Sequence, residues 1–399
     1  MAYESVFTID DYVLFGLVIC IYLFSGYHFS RATGKTQNDE DFEFASRSFN
    51  GKLMCMSLAS SMIPGLSILN ITVQFYYNGP VVGLILLSYF IGISITAVVF
   101  IPLFSRLNTS SIFTYLKLRF SRFIQVLAAI VFCIHLVIFC ILNSYVSVSA
   151  LSEATGFPSQ TVVLIGSVTT LYTTLGGLRA VVWTQAYQYV VVCIGLMGFV
   201  IKGVIQQRSD TFTSFKLLGD SISSPVPLWY WTMSYMIGAT FQVISVVAVN
   251  QSYIQRALAI QPQKRKRVFL GSLVPISVIF LLLLLSALII HVTSYDCSYL
   301  YPDLPFLQVL PYTVAHGLND HPGMSGFFLA VVFSASMSST SSTLHSVATI
   351  VGEDFIKSTF GELRDSVYLM LLKGFVICIG VMVIFVPLLI NGNQAQQVS

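Results

Sequence analysis

Charge is what this chain has least of. Only 9% of its 399 residues are Asp, Glu, Lys or Arg, where a soluble domain carries about 25%. With 55% hydrophobic residues, that scarcity excludes an ordinary soluble domain and implies a membrane protein. Enzyme signatures are also missing: there is no P-loop, no dinucleotide fingerprint and no Cys/His metal spacing, so no soluble catalytic chemistry has a motif. Cysteine gives no scaffold. Cys20, Cys55, Cys133, Cys140, Cys193 and Cys378 lie in apolar runs, where they serve as small core residues. Cys297 is alone in a loop, which argues against an intramolecular disulfide. The first apolar run follows Asp10 and Asp11 with no Lys or Arg ahead of it, so it lacks the basic region of a cleaved signal peptide and is expected to be retained.

What is present is a series of runs long enough to cross a bilayer as helices. They fall near 11–29, 53–76, 80–104, 124–150, 159–175, 180–204, 228–250, 268–292, 325–350 and 367–390, predicting ten spans. Distributing the 20 Lys and Arg residues over alternating loops puts 16 on one side, with only Lys202, Arg208 and Lys216 opposite and Lys373 inside a span. The positive-inside rule makes the rich side cytoplasmic and both termini extracellular. The net charge of +3 thus reports topology, and no nucleic-acid partner is expected. The KRKR cluster at 264–267 precedes a span and reads as a topology signal rather than a lipid-headgroup site. The sequons at Asn70, Asn108 and Asn250 fall in spans or on the inner side, so glycosylation is not expected. His135 and His345 lie in spans, where neutral histidines bonding to neighbouring helices are expected; His291, His316 and His321 belong to the outer loop or its edge.

Two features inside the spans invite chemistry. In SLASSMIPGLSILN (57–70), Pro64 and Gly65 interrupt the second span near its midpoint. Proline donates nothing to the carbonyl four residues back and pushes Ile63 toward extended geometry, so the carbonyls of Ser60 and Ile63 are released. Unpaired backbone inside a bilayer survives where it is buried in protein or lines a cavity, and unwound carbonyls of this kind coordinate sodium in transporters. A proline kink repaired by neighbouring hydroxyls is the alternative. The second feature is SASMSSTSSTLHSVAT (334–349), with ten hydroxyls in sixteen residues. Wound as a helix it aligns Ala335, Ser338, Ser339, Ser342, Ser346 and Thr349 in one stripe. Tight helix packing through small residues is the bland account; a cradle of uncharged oxygens for a small hard cation is the other.

At this point several segments carry a resemblance. TLYTTLGGLRAVVWTQAYQ (170–188), FTYLKLRFSR (113–122), VNQSYIQRALA (249–259), LPYTV (310–314) and SASMSSTSSTLHSVATIVGEDF (334–355) are similar, in order, to segments of the sodium:solute symporter family, solute carrier family 5. The resemblance implies an all-α, multi-pass membrane protein with the LeuT-type inverted-repeat fold. It also implies one sodium site, carried over to the carbonyls of Ser60, Ile63 and Ala335 and the hydroxyls of Ser338 and Ser339. The proline break and the stripe had picked out the same groups.

Three departures from the family pattern stand out. Gln185 follows WT where the signature has an aspartate on the inward sodium route. Where sugar carriers of the family have polar ligands, this chain has Ser67, Phe90, Val243 and Val246, which would leave polyol hydroxyls unpaired at about 1–3 kcal/mol each. Sugar is therefore disfavoured. The pattern is nearer the multivitamin and monocarboxylate branch, with Tyr89 and Gln242 as polar groups of the pocket or, equally, as interhelical hydrogen-bonders. The third departure is length. The chain is expected to be one transporter domain over 1–399, with an extra first span (11–29), repeat one at about 53–204 and a partial repeat two at about 228–390. It would be either a shortened form of a longer transporter or not a full transporter.

These readings converge on a plasma-membrane symporter, not an enzyme, that imports a small organic anion by alternating access. Its partners are the lipid bilayer and the anion; sodium is the coupling ion and no other cofactor is implied. The alternative is a non-transporting homologue acting as a sensor, regulatory isoform or partner subunit. Which anion is carried is not encoded in any motif.

Overall fold

In a computed structural model of the chain, the described residues are 8–31, 39–47, 49–78, 82–107, 110–156, 159–206, 228–295, 306–314, 323–361 and 363–398. Cys297, His316 and His321 lie outside them. Among the described residues all regular structure is helical, as a bilayer requires of a chain that must satisfy its own backbone. The principal helices are α1 (Ile9–Arg31), α2 (Asp39–Phe44), α3 (Gly51–Met62), α4 (Gly65–Asn78), α5 (Leu84–Leu107), α6 (Thr114–Arg119), α7 (Arg122–Thr155), α8 (Val162–Gln206), α9 (Leu228–Val247), α10 (Gln251–Leu258), α11 (Arg265–Gly271), α12 (Leu273–Tyr295), α13 (Met324–Ile350) and α14 (Asp365–Val398).

Seven of the described helices are long and apolar enough to span a membrane, or nine segments if each bent pair counts as one span. The stretch Val162–Ile205 holds 44 residues. As one straight helix it would run roughly 66 Å, twice the bilayer core of about 30 Å. It does not run straight: Gly177 sits at φ 54, ψ −146 and divides it. A Cβ there would lie 2.7 Å from the Phe42 carbonyl oxygen, so glycine is needed both for the torsion and for the approach of α2. Counting both halves restores the ten expected spans.

The expected break in the second span is present, α3 and α4 meeting at 66°. A second break was not expected. The run read as one span over 228–250 ends at Val247, and α10 leaves at 62°, started by Asn250, whose side chain accepts from the Ser252 N–H at 2.9 Å. The Asn-capped restart is legible in VNQSY once sought, but the apolar run hides it.

The hydroxyl-rich α13 sits at the centre. Its most apolar window is 94% buried, against 22–56% for the other six long spans, and it packs on α1, α3, α4, α7, α8, α10 and α14. Gly65 makes the approach of α4 possible: a Cβ there would overlap Ser336 Oγ and lie 2.9 Å from both Ser147 Oγ and the Val332 carbonyl oxygen. The outward faces of α5, α7 and α14 expose Val98, Val131, Ile134 and Phe385, the apolar surface that lipid requires.

Candidate functional site: the α3–α4 break against α13

The local chemistry of Pro64 determines where polar backbone appears. Helix α3 stops at Met62, and Ile63 (φ −121, ψ 82; 2% exposed) turns the chain. Pro64 has no N–H for the Ser60 carbonyl. That carbonyl instead accepts from Ser338 Oγ of α13 at 2.7 Å. The next carbonyl, of Ser61, accepts from the Tyr253 hydroxyl of α10 at 3.2 Å, so the bend frees a carbonyl that the sequence argument did not name.

The Ala335 carbonyl, 2.9 Å from Ser338 Oγ, is a second acceptor within reach of that single hydroxyl proton, and Ser339 Oγ lies 3.4 Å from the same carbonyl. Four of the five expected sodium ligands, Ser60, Ala335, Ser338 and Ser339, are thereby drawn into one buried group, with Ile63 at the adjoining bend. Asn143 of α7 completes it: its Nδ2 donates to Ser339 Oγ at 2.9 Å and its Oδ1 accepts from the Leu66 N–H at 3.2 Å. Asn143 thus ties the stripe to the start of α4, a role that no sequence pattern announced. The donor set is neutral oxygen throughout, suited to a small hard cation once the hydroxyl protons turn away. Among the described residues no group of three or more His, Cys, Asp and Glu converges, so thiolate or imidazole metal chemistry has no cluster there.

Beside this group lies a cavity of about 460 Å³ whose wall includes Pro64, Ser67, Tyr89, Gln242, Val243 and Val246. Five of the six expected pocket residues therefore share one cavity. The sixth, Phe90, does not line it and is 40% exposed, because the residue after Tyr89 is rotated about 100° around α5. Asn70 and Gln74 line the wall too, on the same face as Ser67 at i, i+3 and i+7. Gln74 Nε2 donates to Asn70 Oδ1 at 3.3 Å, and the Tyr235 hydroxyl donates to Gln74 Oε1 at 3.2 Å. That polar stripe was legible in SILNITVQ. Among the described residues every side chain in the wall is formally uncharged.

Gln185 is fully buried behind α13. Its Nε2 donates to the Ser338 carbonyl (2.9 Å), Ser341 Oγ (3.2 Å) and Ser342 Oγ (2.6 Å). Its Oε1 accepts from Ser57 Oγ (2.6 Å) and from Arg256 (3.1 Å). Further toward this end α2 is pinned on three sides. His345 Nε2 bonds the Phe42 carbonyl at 2.9 Å, Gln255 Nε2 donates to the Glu43 carbonyl at 2.9 Å, and the Tyr368 hydroxyl donates to Glu43 Oε1 at 2.7 Å. Burial, reinforced by the negative charge of Glu353, pushes the Glu43 carboxyl up to about 7. His345 is thus an interhelical bonder, and His135 lies between Phe132 and Phe139. Arg265 of the KRKR cluster donates to the Ile260 and Leu258 carbonyls at 2.9 and 3.0 Å, capping the end of α10.

Known proteins resemble this chain in sequence and in fold. The sodium-coupled monocarboxylate transporter 1 of Xenopus laevis is 30% identical over 94% of this chain and 62% of its own length. The sodium-dependent multivitamin transporter of Oryctolagus cuniculus is 30% identical over 92% of this chain and 59% of its own. The chain therefore spans about three-fifths of the length of these relatives, which are transporters and not enzymes. A Na+-coupled sialic acid symporter solved in a substrate-bound outward-open state superposes with a TM-score of 0.86 at 19% identity, over 96% of this chain and 82% of that one, and shares the LeuT-type fold. The model of the sodium:solute symporter family matches residues 42–398. With a broken second span held against a hydroxyl-lined central helix, and a match covering nearly the whole chain, the protein belongs to the sodium:solute symporter family.

Proposed function

We propose that the chain forms the transport core of a sodium-coupled symporter that carries a small organic anion with an apolar body into the cell across the plasma membrane. The observation that carries this reading is the 2.7 Å contact between Ser338 Oγ and the Ser60 carbonyl, made next to a cavity of about 460 Å³. Sodium bound by the carbonyls of Ser60, Ile63 and Ala335 and the hydroxyls of Ser338 and Ser339 would replace contacts between α3 and α13 that are now made directly. It would thereby hold the two helices in one relative position and stabilise the outward-open state. The same bend begins α4, whose N-terminal end carries positive dipole charge beside the cavity.

The wall fits such a solute. Ile71, Ile85, Phe139, Val243 and Val247 suit an apolar body, while Ser67, Asn70, Gln74 and Gln242 offer hydrogen bonds. Both the monocarboxylate and the vitamin class are compatible with this mixture. The positive-inside distribution supports both termini being outside; the pinned α2 would then lie at the cytoplasmic end and would have to loosen for release inward.

The test is uptake of labelled biotin, pantothenate, lactate, butyrate, iodide and glucose into cells or proteoliposomes carrying this chain, with sodium and with choline in its place. Sodium-dependent uptake of an organic anion, lost in the Ser338→Ala, Ser339→Ala double variant, is expected. Uptake indifferent to that double change would refute the assigned ion site. Absence of any uptake by the 399-residue chain would refute transport by it and favour the regulatory alternative.

A further inference from the structure

The helical bundle also buries a cation beside the cavity. Arg256 of α10 is 1% exposed. Its guanidinium donates to the Ser57 carbonyl (3.1 Å), Ser57 Oγ (3.4 Å), Ser61 Oγ (2.6 Å), Gln185 Oε1 (3.1 Å) and Ser342 Oγ (2.7 Å). All of these acceptors are neutral. A buried guanidinium held only by dipoles is costly, since burial removes its hydration and among the described residues no opposite charge bonds to it to repay the loss. Ionisable groups at such depth are retained for function far more than for stability.

Its position indicates which function. Ser61, whose hydroxyl accepts from Arg256, lines the cavity, and so does Tyr253, whose ring centroid lies 5.7 Å from the guanidinium carbon. One layer of side chains therefore separates the charge from the cavity, and no described side chain in the wall is formally charged. In the other direction Gln185 links Arg256 to α13, accepting from the arginine and donating to the Ser338 carbonyl. The field of one fixed cation thus reaches both the solute cavity and the candidate sodium ligands.

We infer that Arg256, left un-neutralised because position 185 is glutamine, is the specificity-determining positive charge that makes the cavity select anions. The inference rests on the transport reading above and adds to it the source of charge selection. The same charge opposes sodium at Ser338, so anion affinity and sodium affinity are coupled with opposite signs. Two unit charges about 10 Å apart at an effective dielectric near 20 interact strongly enough for roughly a tenfold change in affinity.

The experiment exploits that opposition without deleting the arginine. Gln185→Glu places a carboxylate where Oε1 now accepts from Arg256 and cancels the field; Gln185→Leu removes the same amide hydrogen bonds and adds no charge. Uptake and equilibrium binding of butyrate and of biotin, each beside its uncharged amide, are measured against sodium concentration. Gln185→Glu is expected to raise the anion KM about tenfold, to lower the sodium concentration for half-maximal uptake, and, at saturating sodium, to weaken binding of the anions relative to that of their amides. Gln185→Leu is expected to retain the preference for anion over amide. An unchanged anion KM in Gln185→Glu, or equal changes in both variants, would overturn the role of Arg256 while leaving transport intact. A wild-type chain that neither binds nor carries either anion would overturn this inference together with the reading beneath it.

Discussion

Replacing Ser338 by alanine separates folding from ion binding at one atom. The lost hydroxyl has two acceptors, the carbonyls of Ser60 at 2.7 Å and Ala335 at 2.9 Å. The Ala335 carbonyl lies inside α13 and keeps its helical N–H partner four residues on. The Ser60 carbonyl does not, because Pro64 supplies no helical N–H to it, and a buried acceptor left unpaired costs about 1–3 kcal/mol. That loss should appear in thermal unfolding of the purified chain in choline chloride, where no sodium competes. Sodium adds a second, separable effect: an ion at one hundred times its dissociation constant stabilises the wild type by about 2.7 kcal/mol. With one of five ligands removed, that gain should shrink toward zero at the same sodium concentration. The expected result is therefore a variant that starts lower in choline and rises little in sodium. An equal sodium-induced rise in wild type and variant would refute Ser338 as a ligand, and an unchanged stability in choline would refute the orphaned Ser60 carbonyl.

Two further outcomes follow from the end of the bundle where α2 docks. Gly177→Ala places a Cβ 2.7 Å from the Phe42 carbonyl at a positive φ, so it should cost about 1–3 kcal/mol or more in thermal unfolding, whereas Gly198→Ala, with nothing within 4 Å, should be neutral. Docking of α2 should depend on pH through Glu43, whose carboxyl is raised from 4.5 to about 7. The docked state prefers the protonated form, so docking is strongest below about pH 4.5 and weakens as pH rises through 7, by roughly 3 kcal/mol in all. Protection factors for residues 39–44, that is exchange corrected for the intrinsic base-catalysed rate, should fall from pH 6 to pH 8, and Glu43→Gln should remove that fall; pH-independent protection in the wild type would refute the buried-carboxyl account.

Position in sequence and position in space diverge most clearly on α5 and α9. Tyr89 and Phe90 are adjacent and both aromatic, yet one lines the cavity and the other is 40% exposed. Nothing in the local sequence distinguishes them, because which side of an apolar helix faces protein is decided by the helices around it. The bend after Val247 was hidden for a related reason: hydropathy is continuous across it, and only the Asn250 cap marks the restart.

By itself the sequence determined the spans, the break at Pro64 and the hydroxyl stripe of α13. Each follows from chemistry acting within a few residues: apolar side chains partition into lipid, proline lacks an N–H, and small hydroxyl residues recur at helical spacing. The tertiary structure decided which oxygens meet. It brought Ser60 to Ser338 across 278 positions of chain, gave the Ser61 carbonyl to Tyr253, placed Asn143 between Ser339 and Leu66, and set Arg256 among neutral acceptors beside the cavity. Such contacts depend on crossing angles and on the rotation of each helix about its axis, which are fixed by how all the helices pack and not by any one segment.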